Sequence, residues 1–100
     1  MKAVPVVVFT TNRDIWFGYA AADDVEVGSS VIRLERIKHV SYFSEDVKGP
    51  SGLALHGPGR TGKVGDEAPS GTIRDVAAVL SCTKDAAEAF AQQGWGRRAA

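Results

Sequence analysis

The stretch Gly57–Lys63 reads G-P-G-R-T-G-K, the G-x-x-x-x-G-K spacing with which backbone amides and a lysine surround the phosphates of ATP or GTP. That chemistry needs a buried strand before the glycines, a helix after the lysine whose N-terminus meets the anion, and a Ser or Thr next to the lysine to hold magnesium. Here Val64 follows Lys63, and Gly65, Pro69 and Gly71 beyond it are poor material for a helix. The match is formal, and the glycines are expected to punctuate a bend between extended segments. A weaker chemistry survives, because His56, Arg60, Thr61 and Lys63 share a glycine-rich loop suited to a phosphate or an acidic partner surface without hydrolysis. The plainer expectation for residues 57–71 is a solvated connection between strands.

Other reactive residue types are too scattered to act together. His39, His56 and Cys82 have no paired C-x-x-C or H-x-x-x-H spacing, so no metal site is expected, and no cofactor is implied. No Gly-x-Ser-x-Gly turn frames a nucleophile, and Cys82 reads as a small buried residue. Asp23–Asp24 and Glu45–Asp46 are adjacent carboxylates in turns, where solvation leaves them ordinary acids. No catalytic residue is nominated, and the expectation is a protein that is not an enzyme. Trp16, Phe17 and Tyr19 alternate along one segment, so one aromatic can face a core while another anchors an interface.

The elements that must hold these residues are mostly strands. AVPVVVFTT, residues 3–11, is β-branched and aromatic, with Pro5 where a missing amide hydrogen is tolerable on an edge. TNRD is turn chemistry, with Asn12 and Asp14 able to bond their own backbone, and IWFGYAA pairs back as a hairpin. ADDVEVGSS is expected as a polar connection with a short strand end at most. In VIRLERIKHVSYF, Ile32 and Leu34 share a parity with Val40 and Tyr42, whereas Ile37, His39 and Phe43 take the other. Such mixing points to a break into two strands near Glu35 and Arg36, or to one strand twisted by a bulge there, and the break is preferred. SEDVKGPSG reads as a turn, LALH as a short strand and TIRDVAAVLSC as the last strand, with a helix over residues 72–80 as the alternative. DAAEAFAQQ is a helix, capped by Thr83 and stopped by Gly94, after which Trp95 and Phe90 are placed to touch in a Schellman closure.

The fold expected is α+β but mainly β, a curled antiparallel sheet, either small barrel or sandwich, with one C-terminal helix. With 100 residues the chain is a single globular domain over 1–96, followed by a frayed basic tail over 97–100. Twelve Lys and Arg balance twelve Asp and Glu, so the formal charge is zero. That argues against direct non-specific nucleic-acid binding, which rests on phosphate neutralisation, and leaves a homo-oligomer open because colloidal repulsion is weak. The lone cysteine, the short apolar run after Lys2 and the absence of a stretch long enough to cross a bilayer point to the cytoplasm with no membrane partner.

A histidine before VSYFS, the turn GLALHGP, the later VG and Pro69, and the ending C-T…A…G-W resemble a small family of phage and prophage domains of unknown function, over roughly Phe17–Trp95. These are glycines, aromatics and a cap that maintain a fold. The loop GPGRTGKVGDEAPSG is richer in glycine and basic residues than the resemblance leads one to expect, so a phosphate role shared across the family is doubtful. The resemblance implies a phage-borne protein in the bacterial host cell. The leading expectation is a non-catalytic protein that binds and blocks a host immune complex, an anti-CRISPR being the familiar kind, with Trp16, Tyr42, His56, Arg60 and Lys63 as binding residues. The alternatives are a module that sequesters a small nucleotide-like ligand and a minor phage accessory or assembly protein.

Overall fold

The computed structural model describes residues 2–43, 47, 49–59 and 62–93. Among these residues six strands, β1 (Ala3–Thr10), β2 (Ile15–Ala21), β3 (Ile32–Tyr42), β4 (Lys63–Val64), β5 (Ala68–Ile73) and β6 (Val76–Ser81), form one antiparallel sheet. Among the described residues three helices accompany them: α1 (Ala22–Val27), α2 (Gly49–His56) and α3 (Lys84–Gln92). The sheet runs β4-β3-β2-β1-β6, with β5 also on β3, and it curls without closing. The mainly β fold with a C-terminal helix is thus as expected.

The β1–β2 hairpin follows from local chemistry. Seven partners from Ala3↔Ala21 to Phe9↔Ile15 set its register. Its tip is a tight loop in which Arg13 N–H donates to Thr10 O and Arg13 itself adopts φ 69°, the left-handed residue that short hairpins place before the returning strand. The side chain holding this turn is Thr10, whose hydroxyl accepts from Asp14 N–H at 3.1 Å. Pro5 does not lie on an edge, because β1 sits between β2 and β6. Its carbonyl accepts from Cys82 N–H, so the missing donor points to the side where β6 has already ended.

The parity change in VIRLERIKHVSYF is a bulge within one strand, so the preferred break does not occur. Phe17 pairs with Lys38 and Tyr19 with Glu35, which leaves one extra residue in β3, and Arg36 absorbs it at φ 52°. Ile32, Leu34 and, past the bulge, Ile37 therefore face one apolar cluster together with Val6, Val8, Ala20 and Ile73. Beyond the bulge the even positions turn to the other face, where Val40 joins Val7, Phe17, Val64, Leu53 and Phe90. Both faces of the sheet are covered, one by its own curl and the other by α2 and α3.

Four further expectations are corrected. Residues 22–27 form α1 instead of a connection with a strand end, because Asp23 and Asp24 suit its first turn and Gly28, at φ 71°, terminates it. LALH is the end of α2, not a strand. Gly52, Leu53 and Ala54 are all buried, which an alternating strand on one face does not permit, and Pro50 and Gly57 are the front and rear punctuation of a helix. Residues 72–81 are neither one strand nor a helix: Asp75, at φ 58°, turns the corner between β5, which pairs with β3, and β6, which pairs with β1. Finally, Ala68–Gly71 belong to β5, so the glycine-rich connection is far shorter than 57–71.

Helix α3 matches its expected start. Thr83 Oγ1 accepts from Ala86 N–H at 3.1 Å and its hydroxyl donates to Leu55 O at 2.7 Å, so the cap also ties α3 to α2. Phe90 stacks on Phe17 with ring centroids 4.4 Å apart, fixing α3 on the sheet. The Gly94 stop, the Trp95 closure and the 97–100 tail lie outside the described residues.

Candidate functional site

The G-x-x-x-x-G-K stretch follows a helix and precedes strands, the reverse of what a phosphate cradle needs. Gly57 closes α2, its N–H donating to Leu53 O at 2.9 Å, and Lys63 opens β4. The expected bend is therefore present, but it joins a helix to a strand, not two extended segments. Nor is the turn a loose one. Gly57, Pro58 and Gly62 are buried, and a Cβ on Gly57 would meet Ala89 Cβ at 2.7 Å while the backbone keeps φ at +85°. Gln93 Nε2 donates to Gly59 O at 3.3 Å. Gly57 lets the chain pass close against α3, and Gly62 lets it pass close against Pro58.

Of the five predicted binding residues, the structure brings two together. Tyr42 and Lys63 are cross-strand partners on β3 and β4, and both are exposed, Tyr42 at 48 %. Their side chains are neighbours at the end of the sheet, an aromatic beside a cation. His56 is exposed at the end of α2. Arg60 lies outside the described residues.

Trp16 belongs elsewhere. It packs half-buried against the cluster of Val6, Val8 and Ile37, with His39 edge-on at 4.7 Å. His39 Nδ1 is 3.3 Å from Ser41 Oγ, and its Nε2 is 3.9 Å from Asp14 Oδ1. A shallow hollow of about 240 Å³ beside Trp16 is lined by Thr10, Asn12, Asp14, Thr72, Ile73 and Arg74. That is below the roughly 300 Å³ at which small-molecule sites begin.

The residues that reactive chemistry would recruit are held apart. Among the described residues, no three His, Cys, Asp or Glu side chains gather where they could hold a metal ion. Burial pushes the Cys82 thiol up to about 12, so near neutral pH it keeps its proton and is a weak nucleophile. The carboxylates Asp23 and Asp24 are exposed on the first turn of α1, and Glu45–Asp46 lie outside the described residues. No helix among the described residues is long and apolar enough to cross a membrane.

One residue of consequence was missed in the sequence. Lys38 is 4 % exposed, and its ammonium donates to Phe90 O at 2.9 Å, Ala91 O at 3.3 Å and Gln93 O at 2.6 Å. It caps the negative end of α3 from inside the protein, beside the Gln93 N–H that also donates to Phe90 O at 3.2 Å. The signal was the bulge: once Arg36 shifts the parity, Lys38 shares the face of Val40 and must be buried.

With this geometry in place, the chain matches the family described as a domain of unknown function (DUF6948) over residues 3–90. The chain belongs to that family. No curated protein and no solved structure matches it. The match spans the sheet, α1, α2 and α3 up to Phe90, so the Phe17–Phe90 stack and the Tyr42–Lys63 pair both lie within it.

Proposed function

We propose that this domain is a non-catalytic binding protein, phage-encoded and acting in the bacterial host cell, that covers a surface of a host immune complex in the manner of an anti-CRISPR. The observation that carries the binding part is the Tyr42–Lys63 pair. An exposed aromatic and an exposed cation stand side by side where β3 meets β4, and such residues anchor protein interfaces. The phage context rests on the resemblance of the VSYFS and GLALHGP segments, and the immune target on the fitness of a small phage protein without enzyme motifs for such work. The protonated Cys82 thiol and the scattered carboxylates support a role by contact instead of turnover. Sequestering a nucleotide-like ligand draws less support, because Gly57 is closely packed against α3, Gly62 against Pro58, and strands follow Lys63.

The test immobilises the full chain and passes over it a lysate of a bacterium that carries a CRISPR effector. Stoichiometric retention of the effector by the native chain, and its loss with the double variant Tyr42→Ala, Lys63→Glu, is the expected result. Equal retention by the double variant removes this surface from the account, and an empty column with large self-assembly in light scattering favours the accessory or assembly role.

A further inference from the structure

Two neighbouring strands of the sheet come apart at one end. β1 and β2 stay paired as far as Ala3↔Ala21, but β2 and β3 part after Tyr19↔Glu35, and among the described residues no pair follows although both strands run on. The cause is local. Ala22 N–H donates to Lys2 O at 3.0 Å, which holds the end of β2 to β1, while β3 is bound on its other side to β5 through Ile32↔Ile73 and Arg33↔Thr72. Where the strands part, Lys2, Ala3, Ala21, Asp24, Arg33 and Glu35 line a hollow of about 360 Å³. That volume falls within the roughly 300–1,000 Å³ of small-molecule sites, a size the hollow beside Trp16 does not reach.

The lining residues select a ligand by charge. Ala3 and Ala21 are cross-strand partners, so their methyl groups form an adjacent apolar pair. Glu35 pairs with Tyr19, and Arg33 stands two residues before it, so both share the face of Ala21. Arg33 is held in place, its Nε donating to Glu35 Oε1 at 3.2 Å and its Nη2 to Ser70 Oγ at 3.2 Å. Lys2 and Asp24 differ, because among the described residues no ion pair or side-chain hydrogen bond engages either of them. The hollow thus carries two cations and two carboxylates, and one of each sign is unpaired. A simple anion such as phosphate meets Asp24 and Glu35 as like charges, and a simple cation meets Lys2 and Arg33. A molecule that carries both charges escapes either penalty.

We infer that this hollow binds a small zwitterion, a free amino acid, with its carboxylate toward Lys2 and Arg33, its ammonium toward Asp24 and Glu35, and an apolar side chain on Ala3 and Ala21. Charge-assisted hydrogen bonds fix the orientation of such a ligand, whereas two alanine methyls discriminate little between one apolar side chain and another. The hollow lies at the end of β3 away from Tyr42, and its fate is independent of the function proposed above.

Titration of the isotope-labelled full chain with leucine, followed by amide NMR, tests this. Saturable shifts of the Ala3, Ala21 and Arg33 amides are expected with leucine. None is expected with N-acetylleucine, which lacks the ammonium, or with leucinamide, which lacks the carboxylate. Lys2→Met and Asp24→Asn each weaken leucine binding by about tenfold. Both side chains are exposed, so the rest of each variant's spectrum stays native, and Asp85→Asn, outside the hollow, leaves the affinity unchanged. The absence of saturable shifts with leucine overturns the inference. So do shifts that N-acetylleucine or leucinamide reproduces at the same concentration, or leucine binding that both folded variants retain in full.

Discussion

Replacing Lys38 with Met keeps most of the buried stem and removes the ammonium. Gln93 O and Phe90 O lose donors at 2.6 and 2.9 Å, though Phe90 O keeps the Gln93 N–H at 3.2 Å, and the longer 3.3 Å bond to Ala91 O goes with them. A hydrogen bond involving a charged group contributes about 1.5–3 kcal/mol, so the two short bonds amount to about 3–6 kcal/mol. Removing the charge also relieves the cost of having desolvated it, which offsets a sizeable part. The expected net loss is about 3 kcal/mol, a large share of the roughly 5–15 kcal/mol that stabilises a domain. At about 4–8 °C per kcal/mol for a chain of this size, Tm falls by about 12–24 °C. Urea unfolding followed by circular dichroism, with an unchanged m-value, isolates the stability term from any change in compactness. A loss below about 1 kcal/mol would refute the reasoning, since it would mean that the end of α3 does not depend on the lysine.

Two further predictions address the turn and the thiol. Gly57→Ala forces a Cβ to within 2.7 Å of Ala89 Cβ at a φ of +85°, and a loss of about 2 kcal/mol in urea unfolding is expected; an unchanged midpoint would make the turn the loose connection the sequence suggested. Cys82 holds its proton up to about pH 12 when folded, against 9.0 when exposed. Between these values the unfolded chain has released a proton that the folded chain retains, so stability falls as pH rises through that window and is fully present below it. Unfolding midpoints measured from about pH 8 to about pH 10 should decline, less so in Cys82→Ala; parallel profiles would contradict the burial of the thiol.

What could be read from the sequence was whatever local chemistry decides. The hairpin of β1 and β2, the Thr83 cap and the place of the irregularity at Arg36 all follow from residues within a few positions of one another. What escaped was decided by distant partners. Leu53–His56 have strand-like composition, yet Leu53 and Ala54 are both buried, and Gly52 sits so close to the Val47 backbone that no side chain fits. The corner at Asp75 sends β5 and β6 to different strands, a choice invisible in TIRDVAAVLSC alone. The candidate site was legible in part: Tyr42 and Lys63 were named from residue type, and only the β3–β4 register makes them neighbours. Trp16 failed to join them because it is half-buried against the cluster of Val6, Val8 and Ile37.

The central claim is that the domain works through its surface and that the lysine-bearing glycines serve packing. Isothermal titration calorimetry of the full chain with ATP, GTP and a cyclic nucleotide tests it most directly. No saturable heat is predicted with any of the three, whereas saturable binding that Lys63→Ala abolishes would contradict the account.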